Sequence, residues 1–132
     1  MMQTITVNTK ARSAAVDITS EVEQIVRKMG ITDGICCLFV PHTTAGIFIN
    51  EHDDPSVAQD VIDTLDRMVP RQGPYKHAEG NSDAHVKSIL VGSSVHVPIQ
   101  GGWMKLGRWQ GIFLAEFDGP RTRNVQIIVR KT

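Results

Sequence analysis

Cysteine is scarce in this sequence, and its placement excludes the uses that cysteines commonly serve. The two cysteines among the 132 residues, Cys36 and Cys37, are adjacent. Neighbouring residues of a strand point to opposite faces, so these thiols are not placed to bridge each other. Since no CxxC spacing exists, the sequence supports neither a redox dithiol nor a cysteine-based zinc knuckle. We interpret the pair as small side chains of a strand in a reducing compartment.

An excess of charge of one sign is also lacking. Lysine plus arginine number 14 and aspartate plus glutamate number 14, so the formal net charge is zero. Domains that bind nucleic acid usually carry a basic excess, and we therefore expect no nucleic-acid partner.

Long hydrophobic runs are lacking as well. No stretch approaches the roughly 20 apolar residues that cross a bilayer, and the N-terminal segment lacks the apolar part of a signal peptide. We expect a cytoplasmic protein without a membrane partner. Hydrophobic residues nevertheless make up 41% of the chain. A chain of this length buries roughly two-thirds of its unfolded surface, which predicts a single domain over residues 1–132.

Hydrophobic periodicity predicts three helices and six strands. Gly30 and Gly92 are typical of helix ends, and Pro55 suits the first turn of the second helix. The predicted helices cover about residues 18–29, 55–69 and 82–91. The predicted strands lie near residues 5–7, 35–40, 47–50, 95–99, 112–117 and 125–129.

The order of these elements favours an α+β fold. Strands gathered at the C-terminal end of a chain favour antiparallel pairing over a doubly wound parallel sheet. The nearly continuous apolar run Ile35 to Val40 predicts a strand buried on both faces. Pro98 cannot donate to a ladder, which predicts an edge or bulged position for its strand.

Three histidines could share one site. His42 follows a predicted strand in a glycine-containing loop, where a side chain can face a pocket. His77 precedes the helix start at Asn81, and His85 lies near that start. Three imidazoles with an open fourth position form catalytic zinc sites, although no compact ligand motif is present here. The alternative is that these are ordinary surface histidines.

Acidic and basic residues offer further candidates. Glu51 begins a cluster that could hold Mg²⁺ beside a phosphate, and it is the member not needed to cap the following helix, so it is a candidate base. The helix start at Asn81 offers backbone N–H groups to an anion. Arg121 and Arg123 alternate on a strand and can face one phosphate or carboxylate. They could equally be surface residues.

Five short motifs together point to a known family. They are His42-Thr43-Thr44-Ala45, Asn50-Glu51, Asn81-x-x-Ala84-His85, Leu106-Gly107-x-Trp109-Gln110 and Glu116-x-Asp118-Gly119-Pro120-Arg121-x-Arg123. In this order and spacing, from about residue 3 to residue 130, the chain resembles the YjbQ-like family.

This resemblance implies a sandwich-like fold of two packed, mostly antiparallel sheets with about three flanking helices, assembled as a homotrimer. It also implies a divalent metal site, with zinc favoured and magnesium as the alternative. His42, His77 and His85 would be the metal ligands.

The resemblance leads to two hypotheses of function. Members of the family are often labelled as thiamine-phosphate synthases because of a weak activity. The protein would then be an enzyme that joins a pyrimidine diphosphate to a thiazole phosphate. Glu51 or His42 would move a proton, and the phosphorylated metabolite would be bound by Thr43, Asn81, Arg121 and Arg123. The alternative is a non-catalytic module that binds a metal or an anion.

Overall fold

Strands alone follow the third helix, as the sequence pattern predicts. The structure is a computed structural model that describes residues 2–132. Its helices are α1 (Thr19–Met29), α2 (Pro55–Met68) and α3 (Ser82–Val91). Its strands are β1 (Met2–Asn8), β2 (Ala14–Asp17), β3 (Gly34–Phe39), β4 (Ala45–Glu51), β5 (Ser94–Gln100), β6 (Trp103–Met104), β7 (Gln110–Glu116) and β8 (Thr122–Lys131).

The strands form two antiparallel sheets. One has five strands in the order β1-β8-β3-β5-β6, and the other has three in the order β2-β7-β4. In the first, the register places Thr6 opposite Asn124 and Phe39 opposite Gln126. In the second, β7 lies between its partners and pairs with both. The predicted α+β fold of two antiparallel sheets is confirmed.

Local chemistry fixes the helix ends. The Asp54 side chain accepts a hydrogen bond from the backbone N–H of Ser56 at 3.0 Å, and Pro55 occupies the first turn of α2. Gly30 ends α1 in the left-handed region, with φ 68°, which glycine adopts without strain. These boundaries agree with the sequence-based prediction.

The two sheets face each other across the main core. Side chains from the five-stranded sheet, from β4 and β7, and from α1 form one apolar cluster. A second, smaller cluster lies on the opposite side of the three-stranded sheet, where Ile62 of α2 and Ala84 of α3 meet Ala115 and Phe117. Helices therefore cover the three-stranded sheet. None of the helices between residues 2 and 132 has the length and apolar character that a membrane crossing requires.

The five-stranded sheet has an outer face that the rest of the chain leaves open. Along β3, Cys36 and Leu38 are buried, whereas Ile35 and Phe39 are 44% and 39% exposed. The prediction that this strand is buried on both faces is therefore wrong for the single chain, because only one side meets the core. The two cysteines do point to opposite faces, with Cys36 buried and Cys37 half-buried.

Two short strands escaped the sequence analysis. β2 and β6 have four and two residues, too few for a clear periodic pattern. The predicted position of Pro98 is confirmed, because β6 pairs with β5 only at Ile99 and Gln100, and Pro98 beyond them accepts one bond through its carbonyl, from the N–H of Lys105 at 2.8 Å.

Candidate functional site

A polar pocket of about 360 Å³ lies where three loops meet. The loops are the β3–β4 connection, the segment leading into α3 and the β7–β8 turn. The pocket is lined by Pro41, His42, Thr43, Thr44, Glu79, Asn81, His85, Asp118, Arg121 and Arg123. We call it the polar pocket.

Backbone contacts hold the β7–β8 turn against its neighbours. The N–H of Phe117 donates to the Thr44 carbonyl at 3.1 Å, which joins the β3–β4 connection to the end of β7. The N–H of Gly119 donates to the Arg12 carbonyl at 3.0 Å. A Cβ at Gly119 would come within 2.3 Å of the Ala11 carbonyl oxygen, so only glycine permits this close approach.

A buried ion pair supports the floor of the polar pocket. Glu116 is fully buried, and its carboxylate accepts hydrogen bonds from Nε of Arg123 at 2.9 Å and from Nη2 of the same side chain. It also accepts from the Thr9 hydroxyl and from two backbone N–H groups of the following turn. Arg123 in turn donates to the hydroxyl of Thr44 at 2.8 Å. Burial raises the pKa of Glu116, but these hydrogen bonds outweigh it and keep the pKa below its ordinary value.

His42 is held by the sheet beside it. The backbone N–H of Asn124 donates to Nε2 of His42 at 2.9 Å. Burial, together with the positive charge of Arg123, lowers the pKa of His42, although Glu116 and the bond from Asn124 act in the opposite direction. The net effect favours the neutral ring.

Asp118 connects the segment leading into α3 to the β7–β8 turn. Its carboxylate accepts from Nδ2 of Asn81 at 2.8 Å and from Nη2 of Arg121 at 3.1 Å. Burial raises the pKa of Asp118, but the bonds from Asn81 and Arg121 lower it further than burial raises it. With its Nδ2 turned to this carboxylate, Asn81 has a buried Oδ1 that meets no hydrogen-bond donor among the described residues. A buried carbonyl oxygen in that state is available to a bound donor or cation.

His77 lies next to His85, which lines the polar pocket. Their ring centres are 5.4 Å apart and the ring planes are nearly perpendicular. Nε2 of His77 contacts a carboxylate oxygen of Glu79 at 2.8 Å. Two imidazoles that share a tetrahedral zinc, with Zn–N distances of about 2.1 Å, have ring centres roughly 5 Å apart. The observed separation is close to that value and is also typical of an edge-to-face pair of rings.

A second cavity, of about 450 Å³, adjoins the polar pocket at His42 and His85. It is lined by His42, Thr43, Ala45, His85, Ser88, Ile89, Gly92 and Ser93. Three of these residues, His42, Thr43 and His85, also line the polar pocket. The two spaces therefore share a wall that carries both imidazoles.

Comparison with known proteins identifies the family. A family model described as UPF0047 protein YjbQ-like matches residues 3–132. The chain belongs to the YjbQ-like UPF0047 family. It is 49% identical to a UPF0047 protein of Methanocaldococcus jannaschii over 92% of this chain and 88% of that protein. It is 46% identical to the UPF0047 protein YugU of Bacillus subtilis over 96% and 97% of the two chains.

Solved structures of the YjbQ-like family share the whole fold. An uncharacterized conserved protein from Clostridium acetobutylicum is 46% identical and superposes with a TM-score of 0.95 over 97% of this chain and 99% of that one. A protein of unknown function from Sulfolobus solfataricus is 36% identical, with a TM-score of 0.96 over 100% and 97% of the two chains.

Most of the predicted site residues of the YjbQ-like chain come together. His42, Thr43, Asn81, His85, Arg121 and Arg123 all line the polar pocket. His77 stands beside His85. Glu51 does not join them, because it pairs with Gln110 at the far end of β4 from Ala45. A strand advances about 3.3 Å per residue, which places Glu51 roughly 20 Å from the start of β4.

The predicted three-histidine metal site fits this arrangement in part. Among residues 2–132, no three histidine, cysteine, aspartate or glutamate side chains converge closely enough to hold a metal ion. His77 and His85 have the spacing of two ligands. His42 does not offer a third in this arrangement, because its Nε2 lone pair accepts the N–H of Asn124.

Sequence reasoning missed the carboxylates of the site. Glu116 and Asp118 stand in one of the motifs that identified the YjbQ-like family, yet neither received a role. The spacing of Glu116, Asp118, Arg121 and Arg123 was a usable signal, since two acids and two bases on either side of a tight turn can pair across it. Glu79 had no such signal.

Proposed function

We propose that this protein binds a small phosphorylated metabolite in the polar pocket with the help of a divalent metal ion held by His77 and His85. The observation that carries the proposal is that both arginines already have carboxylate partners. Arg123 is paired with Glu116 and Arg121 with Asp118. A phosphate therefore needs a further source of positive charge.

The side chains that line the polar pocket do not supply this positive charge. Glu79 and Asp118 offset Arg121 and Arg123, and Glu116 adds a negative charge behind the wall. These carboxylates and guanidinium groups together give the site no net positive charge. A divalent ion on the two rings would supply two positive charges beside the arginines, which is how metal ions commonly help to bind and activate phosphoryl groups.

The donor atoms favour zinc. Imidazole nitrogen suits zinc and other late transition metals, whereas magnesium prefers oxygen. Magnesium is the alternative, and the carboxylates that line the polar pocket, Asp118 and Glu79, would then be its oxygen donors.

We expect the untagged protein to retain about one zinc per chain after dialysis against a weak chelator, and His85→Ala to lose it, because that variant removes one of two adjacent imidazoles. Loading with zinc should tighten binding of inorganic phosphate by at least about tenfold, which corresponds to about 1.4 kcal/mol. Elemental analysis and calorimetric titration measure the two effects. His52→Ala is the matched control, since His52 contacts Asp17 of β2 and lies outside the polar pocket. Metal retained in His85→Ala, or none in the wild type, would contradict the proposal.

The enzyme hypothesis adds a reaction to this binding site. A pyrimidine diphosphate that joins a thiazole phosphate releases pyrophosphate, so positive charge in the polar pocket would stabilise the leaving group. The adjoining cavity supports the idea, because it offers space for an uncharged ring next to the phosphate site. Of the two residues predicted to move a proton, His42 is at the site and Glu51 is not.

Turnover separates the enzyme from the alternative, a non-catalytic module. Formation of thiamine phosphate by the zinc-loaded protein, lost in Arg121→Ala, would support the enzyme. Phosphate binding without turnover would support the module. For either role we propose a cytoplasmic location, which is in line with two cysteines that are both free thiols.

We also propose that the protein forms a homotrimer through the outer face of the five-stranded sheet. The outward residues of its four long strands are Met2, Thr4, Thr6, Asn8, Ile35, Cys37, Phe39, Ser94, His96, Pro98, Gln100, Thr122, Asn124, Gln126, Ile128 and Arg130. Of these, only Arg130 is a lysine, arginine, aspartate or glutamate. The whole sequence is 21% charged. Depletion of charge across a broad surface with exposed apolar side chains is typical of the centre of a subunit interface.

A matched pair of substitutions tests this interface. Gln126→Glu places a carboxylate between Thr4 and Phe39 in the middle of the outer face, whereas Gln24→Glu makes the same change on the exposed side of α1. In a trimer the first change buries three unpaired charges, so we expect it to lower the mass measured by light scattering toward that of a single chain. The Gln24→Glu variant should remain a trimer. A wild type that is a single chain at every concentration would contradict the proposal.

A further inference from the structure

His42 has two predicted roles, metal ligand and mover of a proton, and the hydrogen bonding of its ring separates them. We infer that His42 is a hydrogen-bond donor to the bound anion through Nδ1–H and not a ligand of the metal ion. The part of this inference that concerns the anion rests on the proposed function. The part that concerns the metal rests on the geometry of one hydrogen bond.

That bond is the contact from the backbone N–H of Asn124 to Nε2 of His42, at 2.9 Å. A backbone N–H can only donate, so Nε2 must be the acceptor and must carry a lone pair. In a neutral imidazole the single proton then lies on Nδ1. Nδ1–H has no lone pair to give to a metal, and Nε2 has already used its own.

The hydrogen bond from Asn124 to His42 continues the hydrogen bonding of the five-stranded sheet beyond the end of β3. β3 and β8 pair up to Phe39 opposite Gln126, and the chain of β3 then leaves the sheet at Val40 and Pro41. Asn124 lies two residues before Gln126 in β8, so its N–H has no partner on β3. His42 supplies the missing acceptor.

Releasing His42 to bind a metal would leave that N–H unpaired. The contact is exposed, so water can replace the ring as the acceptor, but the hydrogen bond that the loop and the sheet share would be lost. Coordination through Nδ1 would instead require loss of its proton. Both routes carry a cost that His77 and His85 do not share, since neither is tied to the sheet.

The place of the ring agrees with a donor role. His42 lines both the polar pocket and the adjoining cavity, so Nδ1–H is the remaining polar group that the ring offers there. A phosphate has only acceptor oxygens when fully ionised, and in the polar pocket it would meet N–H donors at His42 and Arg121. The lowered pKa of His42 favours the same neutral state.

Nitrogen NMR of the histidine rings tests the state of His42 directly. In protein with ¹⁵N-labelled histidine at pH 8, the signals missing from the His42→Gln spectrum belong to His42. We expect them to show protonated Nδ1 and unprotonated Nε2, with little change when zinc is added, while two other histidines shift strongly. A His42 ring protonated on Nε2, or one whose Nδ1 signal moves as zinc binds, would overturn the inference.

Two substitutions that imitate different ring nitrogens test the role. In His42→Gln, the side-chain amide oxygen can reach the position of Nε2 and keep the bond from Asn124, but no donor is left at the position of Nδ1. The shorter amide of His42→Asn can restore a donor near Nδ1. We expect both variants to keep the zinc content of the wild type. Affinity for inorganic phosphate should fall about tenfold in His42→Gln and less in His42→Asn, as expected for loss of one hydrogen bond to a charged group.

Loss of zinc in His42→Gln would overturn the inference, and so would phosphate affinity unchanged in that variant. Failure of the proposed function gives a different pattern. A wild type that binds neither zinc nor phosphate defeats that proposal, and the nitrogen signals of His42 still decide whether Nδ1 carries the proton.

Discussion

Replacing Glu116 with alanine should lower the free energy of unfolding by about 3–5 kcal/mol, because the change leaves the charge of Arg123 buried without a partner. Arg123 is only 4% exposed, and its other acceptors are the carbonyl and hydroxyl of Thr44. The carboxylate also accepts the Thr9 hydroxyl and two backbone N–H groups, which lose their acceptor as well. Urea unfolding with a common m-value measures the difference.

An exposed ion pair of the same turn provides the control for Glu116→Ala. Arg121 pairs with Asp118, but its side chain is 53% exposed. Arg121→Ala should therefore lower the free energy of unfolding by no more than about 1 kcal/mol. A second variant, in which Glu116 and Arg123 are both changed to methionine, should recover much of the loss, because it removes both buried charges. A loss of less than about 1 kcal/mol of unfolding free energy in Glu116→Ala would show that water replaces the carboxylate as the partner of Arg123.

Local sequence signals predicted the helices and most strands because those signals act over a few residues. Asp54 with Pro55, and Gly30 after Met29, mark helix ends by hydrogen bonding and backbone geometry that need no distant partner. β2 was missed because its four residues are defined only by pairing with Phe113 to Glu116, about a hundred residues along the chain. Such pairing leaves little trace in a short segment.

The exposed side of β3 shows a different limit. An apolar run such as Ile35 to Val40 reports that both sides of a strand avoid water, but it does not say what covers each side. One chain covers only the side of Cys36 and Leu38. If the proposed trimer forms, a contact between chains covers the other side of this apolar run.

The candidate site was predictable to the extent that its residues sit at the ends of elements. His42, Asn81 and Arg121 each follow or precede a strand or helix, and such ends meet at one edge of the fold. Glu51 satisfies the same rule at the opposite edge, and sequence spacing cannot tell the two edges apart. The burial of Glu116 depends on Thr9 and Arg123, which are remote in sequence or across a turn, so no local pattern announces it.

A second buried network, unassigned by the sequence, supports the helix that carries His85. Asp83 is fully buried at the start of α3, and it accepts bonds from both terminal nitrogens of Arg12, at 3.1 and 3.2 Å, and from Nζ of Lys87 at 2.8 Å. Lys87 is itself 1% exposed and also contacts Asp66 of α2 at 2.7 Å. The network ties α3 to α2 and to the β1–β2 loop.

Asp83→Ala should therefore cost about 3–5 kcal/mol at pH 7, since it leaves Lys87 buried with Asp66 as its remaining partner. The control is Asp63→Ala, an exposed aspartate of α2 that accepts one bond from Gln59, for which we expect no more than about 0.5 kcal/mol. Changing Asp83 and Lys87 together to leucine should restore much of the stability, because no buried charge is then left unpaired.

The pH dependence of this cost gives an independent check. Burial raises the pKa of Asp83, but the bonds from Arg12 and Lys87 outweigh it and keep the pKa below the ordinary 3.8. A carboxylate with a lowered folded-state pKa contributes stability above its unfolded-state pKa, and that contribution is lost as the pH falls through the folded-state value. The wild type should lose the contribution in acid, whereas Asp83→Ala has none to lose. The difference between the two proteins in unfolding free energy should therefore narrow as the pH falls below about 4. A difference that stays constant from pH 7 to pH 3 would mean that Asp83 contributes through packing and not through its charge.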